Sequence, residues 1–62
     1  MKYYILMQQK DNETIFRKTT SILRSDKLRS KGMKLIFVVM GRDLSFYNKE
    51  YQIETVTKED LK

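Results

Sequence analysis

Cysteine, histidine, proline, tryptophan and alanine are all missing from this 62-residue chain, and glycine occurs only at Gly32 and Gly41. Without cysteine there are no disulfides, thiolate zinc sites or thiol nucleophiles. Without histidine the chain lacks the side chain that most often performs general acid–base catalysis near neutral pH. The two glycines also lack the companions that a nucleotide-binding glycine loop needs. These absences predict a protein that binds rather than catalyses, with no cofactor and no metal site.

The acidic side chains form no recognisable catalytic or metal-binding pattern. No EF-hand spacing occurs among them. Asp43, Glu54 and Lys58 do not match the spacing of a metal-dependent nuclease, and Ser25 with Lys27 is typical of chance proximity in a polar chain. We therefore predict that the protein is not an enzyme. The acids are scattered over predicted turns and strand edges at Asp11, Glu13, Asp43, Glu50, Glu54, Glu59 and Asp60.

Long apolar runs are absent as well. The longest, Tyr3 to Met7 and Leu35 to Met40, have the length of strands and fall far short of the roughly 20 residues of a membrane span. With no recognisable leader, the expectation is a cytoplasmic protein without a membrane partner. A chain this short buries only about 60% of its unfolded surface, so a homodimer is one expected way to complete a small core.

Alternating side chains predict a hairpin at the start of the chain. In Lys2 to Gln9 both faces of the predicted strand are apolar, which is typical of a strand covered on two sides or lying at an interface. The polar residues 10–13 then predict a turn, because Asp11 and Asn12 tolerate left-handed backbone angles. Thr14 to Thr20 is β-branched and aromatic and is the predicted partner strand.

The second half of the chain also has strand-like composition. Met33 to Met40 has two apolar faces and is predicted as a central strand. Leu44 to Tyr47 and Tyr51 to Thr57 are predicted as one interrupted strand or two short ones that return antiparallel. The fold class predicted for the single domain 1–62 is therefore α+β and β-rich. It has a small antiparallel sheet of four to five strands and one short helix before Met33.

The segment from Thr20 to Lys31 leaves two alternatives open. A short helix capped by Ser21 or Ser25 and closed by Gly32 in a left-handed conformation is the preferred one. The other is an extension of the second strand followed by a long loop. At the end of the chain, Thr57 followed by Asp60 resembles the opening of a helix.

Positive charge is concentrated in the middle third of the chain. Residues 17–34 hold seven cations and one acid, Asp26, whereas residues 1–16 are neutral and residues 35–62 carry a net charge of −1. Such a segment is typical of contact with a phosphate backbone, where each neutralised phosphate releases counterions. The predicted nucleic-acid-binding residues are Arg17, Lys18, Arg24, Lys27, Arg29, Lys31 and Lys34.

Several alternatives fit the same charges. The segment is equally consistent with a solvated surface that has no partner. Aromatic side chains on the strands suggest base stacking, but we expect Phe16, Phe37 and Phe46 mainly in the core. A second hypothesis is a small protein-binding effector or inhibitor, encoded by a phage or mobile element, that docks on an acidic surface of a larger bacterial protein. A third is an oligomerisation unit with strands paired about a two-fold axis.

Overall fold

Four strands and two helices account for most of the chain in a computed structural model that describes residues 1–62. The strand-rich α+β class and the small four-stranded sheet are confirmed. No helix has both the length and the apolar character needed to cross a membrane. The elements are β1 (Lys2–Lys10), β2 (Glu13–Thr19), α1 (Ile22–Ser30), β3 (Lys34–Met40), a 3₁₀ turn (Gly41–Asp43), α2 (Leu44–Tyr51), β4 (Glu54–Thr55) and a C-terminal 3₁₀ turn (Glu59–Leu61).

The predicted hairpin between β1 and β2 is present. The two strands are antiparallel, with Lys10 opposite Glu13. The intervening residues Asp11 and Asn12 have φ angles of 53° and 66°. A two-residue turn with both φ angles positive has a twist that matches the twist of the flanking strands, which explains why these two residues close the hairpin.

The sheet has the strand order β3-β1-β2-β4, so β1 is central and β3 is an edge strand. The prediction that Met33 to Met40 forms a central strand is therefore wrong. The purely antiparallel sheet is also wrong, because β4 pairs parallel with β2 through Arg17–Glu54 and Lys18–Thr55. Both differences arise because helical connections decide where a strand joins the sheet, and the apolar pattern within the strand does not.

The strand predicted at Leu44 to Tyr47, together with the start of the one predicted at Tyr51, is instead the helix α2. The apolar residues Leu44, Tyr47 and Tyr51 are three and four positions apart, so they lie on one side of a helix. That side packs against the sheet: the ring centroids of Phe37 lie 5.3 Å from Tyr47 and 5.8 Å from Tyr51. Phe46 is 65% exposed, so its expected place in the core is wrong.

Both faces of the sheet are covered, because β1 sends Ile5 and Leu6 to opposite sides and each is 0% exposed. Leu6 belongs to the cluster beneath α1, which includes Leu28, Met33 and Val56. Ile5 belongs to the cluster beneath α2, which includes Val39 and Ile53 and the partly buried rings of α2. We call these the α1 face and the α2 face of the sheet. The second helix thus removes the open sheet surface that base stacking would require.

Candidate functional site

The start of α1 is fixed by Ser21, whose hydroxyl accepts a hydrogen bond of 3.2 Å from the backbone N–H of Arg24. This bond satisfies one of the donors that every helix start leaves free, and it confirms Ser21 as the cap. Within the helix only Ser25 and Leu28 are buried. These two residues define the side of α1 that lies on the sheet, and the remaining side chains face solvent or the flanks of the helix.

The end of α1 is closed by a Schellman motif around Gly32. The N–H of Gly32 donates to the carbonyl of Arg29, and the N–H of Met33 donates to the carbonyl of Leu28, each at 3.1 Å. Gly32 has a φ of 106°, which glycine adopts without strain. The motif brings the side chains of Leu28 and Met33 into one apolar cluster, and Lys31 lies at the helix C-terminus beside them.

Three of the predicted cations lie along one side of α1. Arg24, Lys27 and Lys31 follow one another at spacings of three and four residues, which places them above each other on a helix. All three are exposed, and none takes part in an ion pair with a carboxylate. We call these three residues the basic stripe.

The remaining predicted cations are directed elsewhere. Arg29 is two residues from Lys31, which puts it about 160° away around the helix, on the opposite flank. Lys18 pairs in register with Ile5 and Lys34 pairs with Met7, so both lie on the α2 face. The Nζ atom of Lys18 donates to Oδ1 of Asn48 in α2 at 3.4 Å. The seven cations therefore do not form one continuous surface.

Arg17 is occupied by two carboxylates. Its Nε atom lies 3.2 Å from Oδ2 of Asp60, and its Nη1 atom lies 3.6 Å from Oε2 of Glu54. Nη1 also donates to the carbonyl of Phe16 at 2.9 Å. Only 20% of the Arg17 side chain is exposed. Arg17 thus joins β2 to the C-terminal 3₁₀ turn, and its charge is largely neutralised within the protein.

Asp60 holds the other end of this connection. Its Oδ2 atom accepts hydrogen bonds from the backbone N–H and the hydroxyl of Thr57, at 2.9 and 3.1 Å, as well as from Arg17. Burial raises the pKa of this carboxyl, but the Thr57 hydrogen bonds and the Arg17 charge outweigh it and hold the pKa below 3.8. The N–H of Asp60 donates back to the Thr57 hydroxyl at 3.4 Å. The predicted pairing of Thr57 with Asp60 is therefore present, but it precedes a three-residue 3₁₀ turn, Glu59–Leu61, rather than a helix.

A cavity of about 360 Å³ opens between the end of α1, the sheet and the C-terminal turn. Three apolar side chains line it, and polar and charged groups form the rest of its wall. Lys31 belongs to both this wall and the basic stripe, so the two features are continuous. The lining residues are Gln8, Lys10, Ile15, Arg17, Leu28, Lys31, Met33, Glu59, Asp60 and Lys62.

Sequence reasoning missed Lys10 as a member of this region. It lies on β1 in phase with Leu6 and Gln8, so alternation alone puts it on the α1 face. Like Lys31 it forms no ion pair, whereas the nearby Lys62 pairs with Glu59 at 3.1 Å. The signal that could have found Lys10 is therefore the alternation of side chains along β1, and not the local density of charge in the sequence.

Comparison with protein-family models found no match, and comparisons with curated proteins and with solved structures likewise found none. A function for this chain is therefore inferred from its own charges, contacts and cavity.

Proposed function

We propose that the protein is a non-enzymatic, cytoplasmic module that binds the phosphate backbone of a nucleic acid through the basic stripe. The observation that carries this proposal is the alignment of Arg24, Lys27 and Lys31 on one exposed side of α1, free of carboxylate partners. A cation without an internal partner keeps its full attraction for an external anion, whereas a paired cation such as Arg17 does not.

The dimensions of the basic stripe suit a nucleic-acid strand. Arg24 and Lys31 are seven residues apart, which corresponds to about 10.5 Å along the helix axis. One strand of duplex DNA carries a phosphate every 3.4 Å of helix axis, so about three phosphates occupy that length. Three cations thus face about three phosphates. The charge on the two partners is matched without any movement of the fold.

A mobility-shift assay with a labelled oligonucleotide tests the proposal. Replacing Arg24 and Lys27 by glutamate removes two attractive contacts and adds two repulsive ones, so the shift is expected to disappear. Both side chains are exposed and outside the core, and an unchanged circular dichroism spectrum shows that the fold persists. Retention of the shift by the folded variant contradicts the proposal. Capture of a protein that survives nuclease treatment favours the protein-binding effector instead.

We also propose that β3 pairs with β3 of a second copy. Its outer edge faces no other strand, and Val38 and Met40 are 52% and 41% exposed. An apolar edge strand of seven residues is a template for further pairing. If β3 pairs antiparallel with itself about Phe37, its one charged residue, Lys34, lies opposite the partner's Met40. The two lysines are then kept apart, as a self-complementary edge requires.

Such a dimer presents both basic stripes to one side. Antiparallel pairing of two sheet edges places the two-fold axis perpendicular to the sheet, so the α1 faces of both copies point the same way. Two stripes then contact one nucleic acid, which raises the effective affinity without any new kind of contact. The dimer is therefore consistent with the proposed function, although binding by the basic stripe does not depend on it.

A further inference from the structure

The cavity at the end of α1 combines a small apolar patch with unpaired positive charge. Ile15, Leu28 and Met33 are its apolar lining; Leu28 and Met33 are only 1% and 8% exposed, and Ile15 is the least buried of the three. Its volume of about 360 Å³ falls within the range of small-ligand sites. Ile15 is only partly buried, so a ligand that covers it gains hydrophobic free energy on binding, whereas Leu28 and Met33 form the closed floor of the cavity.

The charges around the cavity favour an anionic ligand. Both carboxylates in the wall are already engaged: Asp60 with Arg17 and Thr57, and Glu59 with Lys62. Lys10 and Lys31 have no such partner. The cavity therefore has a net attraction for negative charge, carried by one lysine from the end of β1 and one from the end of α1.

A third kind of group is present in Gln8. Gln8 lines the cavity, and its side-chain amide makes no hydrogen bond to another protein group. An amide offers both a donor and an acceptor, which is the combination that reads the edge of a nucleobase. A small apolar patch, an amide and two lysines together fit a flat heterocycle that carries a phosphate.

We propose that this cavity binds one unpaired nucleotide, with the base against Ile15 above the floor formed by Leu28 and Met33, and the phosphate at Lys10 and Lys31. This inference rests on the proposed function and deepens it, because Lys31 connects the basic stripe to the cavity. The stripe follows the backbone, and the cavity takes a nucleotide that is free of base pairing, at a strand end or in a single strand. A nucleic acid with unpaired nucleotides is then preferred over a blunt duplex.

The four methionines provide a direct readout. With ¹³C-labelled methionine methyl groups, adenosine 5′-monophosphate is expected to shift the Met33 signal, because Met33 lines the cavity. Met7 and Met40 do not line it and are internal controls. Replacing Lys10 and Lys31 by glutamine is expected to weaken binding about tenfold or more, from the loss of two charge-assisted contacts. The matched change of Lys34 and Lys49 to glutamine is expected to leave binding unchanged.

Separate ligands and variants distinguish this proposal from the one on which it rests. If the Met33 signal does not shift at millimolar nucleotide, the nucleotide site is refuted. Inorganic phosphate that binds with the same affinity as the nucleotide also refutes it. Equal binding of blunt and overhanging duplexes also refutes it, and the stripe remains intact in that case. Replacing Arg24 and Lys27 by glutamine is expected to weaken oligonucleotide binding and its salt dependence, while the mononucleotide still shifts Met33 as in the wild-type protein. If the wild-type protein binds the mononucleotide but no oligonucleotide, the basic stripe is refuted and the cavity is not.

Discussion

The salt dependence of nucleic-acid binding follows from the number of cations in the basic stripe. Three phosphate contacts predict a slope of log K against log salt of about −2.7 for duplex DNA, at about 0.9 per contact. Between 50 and 200 mM salt, such a slope lowers the affinity about 40-fold. Replacing Arg24 and Lys27 by glutamine leaves Lys31 alone, so the slope falls to about −0.9 and the loss to about 3.5-fold over the same range.

Fluorescence anisotropy of a labelled duplex, titrated at five or six salt concentrations, measures both slopes. The matched control replaces Arg29 and Lys49 by glutamine. This control also removes one arginine and one lysine, both exposed and free of ion pairs, so the net charge of +5 falls by two in each variant. Arg29 lies on the opposite flank of α1 and Lys49 lies on α2, so the control is expected to keep the wild-type slope.

The outcome separates a localised site from a general attraction. If both double variants lower the slope equally, binding depends on net charge alone and the stripe has no special role. If the stripe variant keeps the wild-type slope, the phosphates are bound elsewhere. Either result refutes the assignment of Arg24 and Lys27 to the phosphate backbone.

Three further predictions concern the fold and its assembly. Gly32→Ala is expected to lower the free energy of unfolding in urea by about 1–2 kcal/mol, because alanine is strained at a φ of 106° although no atom lies in its way. Asp60→Asn is expected to cost about 1–2 kcal/mol at pH 7. Because the pKa of Asp60 is lowered in the folded state, the stability that this carboxylate contributes is present above its unfolded pKa and is lost as the pH falls below 3.8. The urea midpoint of the Asp60→Asn variant is thus expected to change less with pH in the acid range than that of the wild-type protein. In sedimentation equilibrium the wild-type mass is expected to rise above 7.5 kDa with concentration. Val38→Lys is expected to stay monomeric, whereas Phe46→Lys, an exposed apolar control on α2 rather than on β3, is expected to associate like the wild type.

The parts of the fold that sequence reasoning predicted are those fixed by neighbouring residues. The turn at Asp11 and Asn12 depends on the tolerance of these side chains for positive φ. The helix from Ser21 to Gly32 depends on one hydroxyl at its start and one glycine at its end. In each case the physical cause lies within three or four positions of its effect, so the sequence displays it directly.

The parts that were missed depend on contacts between distant segments. Leu44, Tyr47 and Tyr51 have helical spacing, but the phenylalanine and tyrosine content of the segment favoured a strand. The helix is held by packing on Phe37 and Phe16, with ring centroids of Phe16 and Tyr51 at 5.1 Å. The edge position of β3 has the same origin, because it depends on α1 carrying the chain back to the free side of β1.

The candidate site was only partly predictable for a related reason. Strand alternation already separates Arg17 from Lys18, and helical spacing already separates Arg29 from the basic stripe, so the sequence contained the means to divide the seven cations. Pairing of Arg17 with Asp60, 43 residues further along the chain, was not visible in any local pattern. Arg17 precedes the helix and joins the sheet to the C-terminal turn, so its charge is used in folding. The charge available to a partner is therefore set by which cations lack an internal carboxylate, and on α1 and the cavity wall these are Arg24, Lys27, Arg29, Lys31 and Lys10.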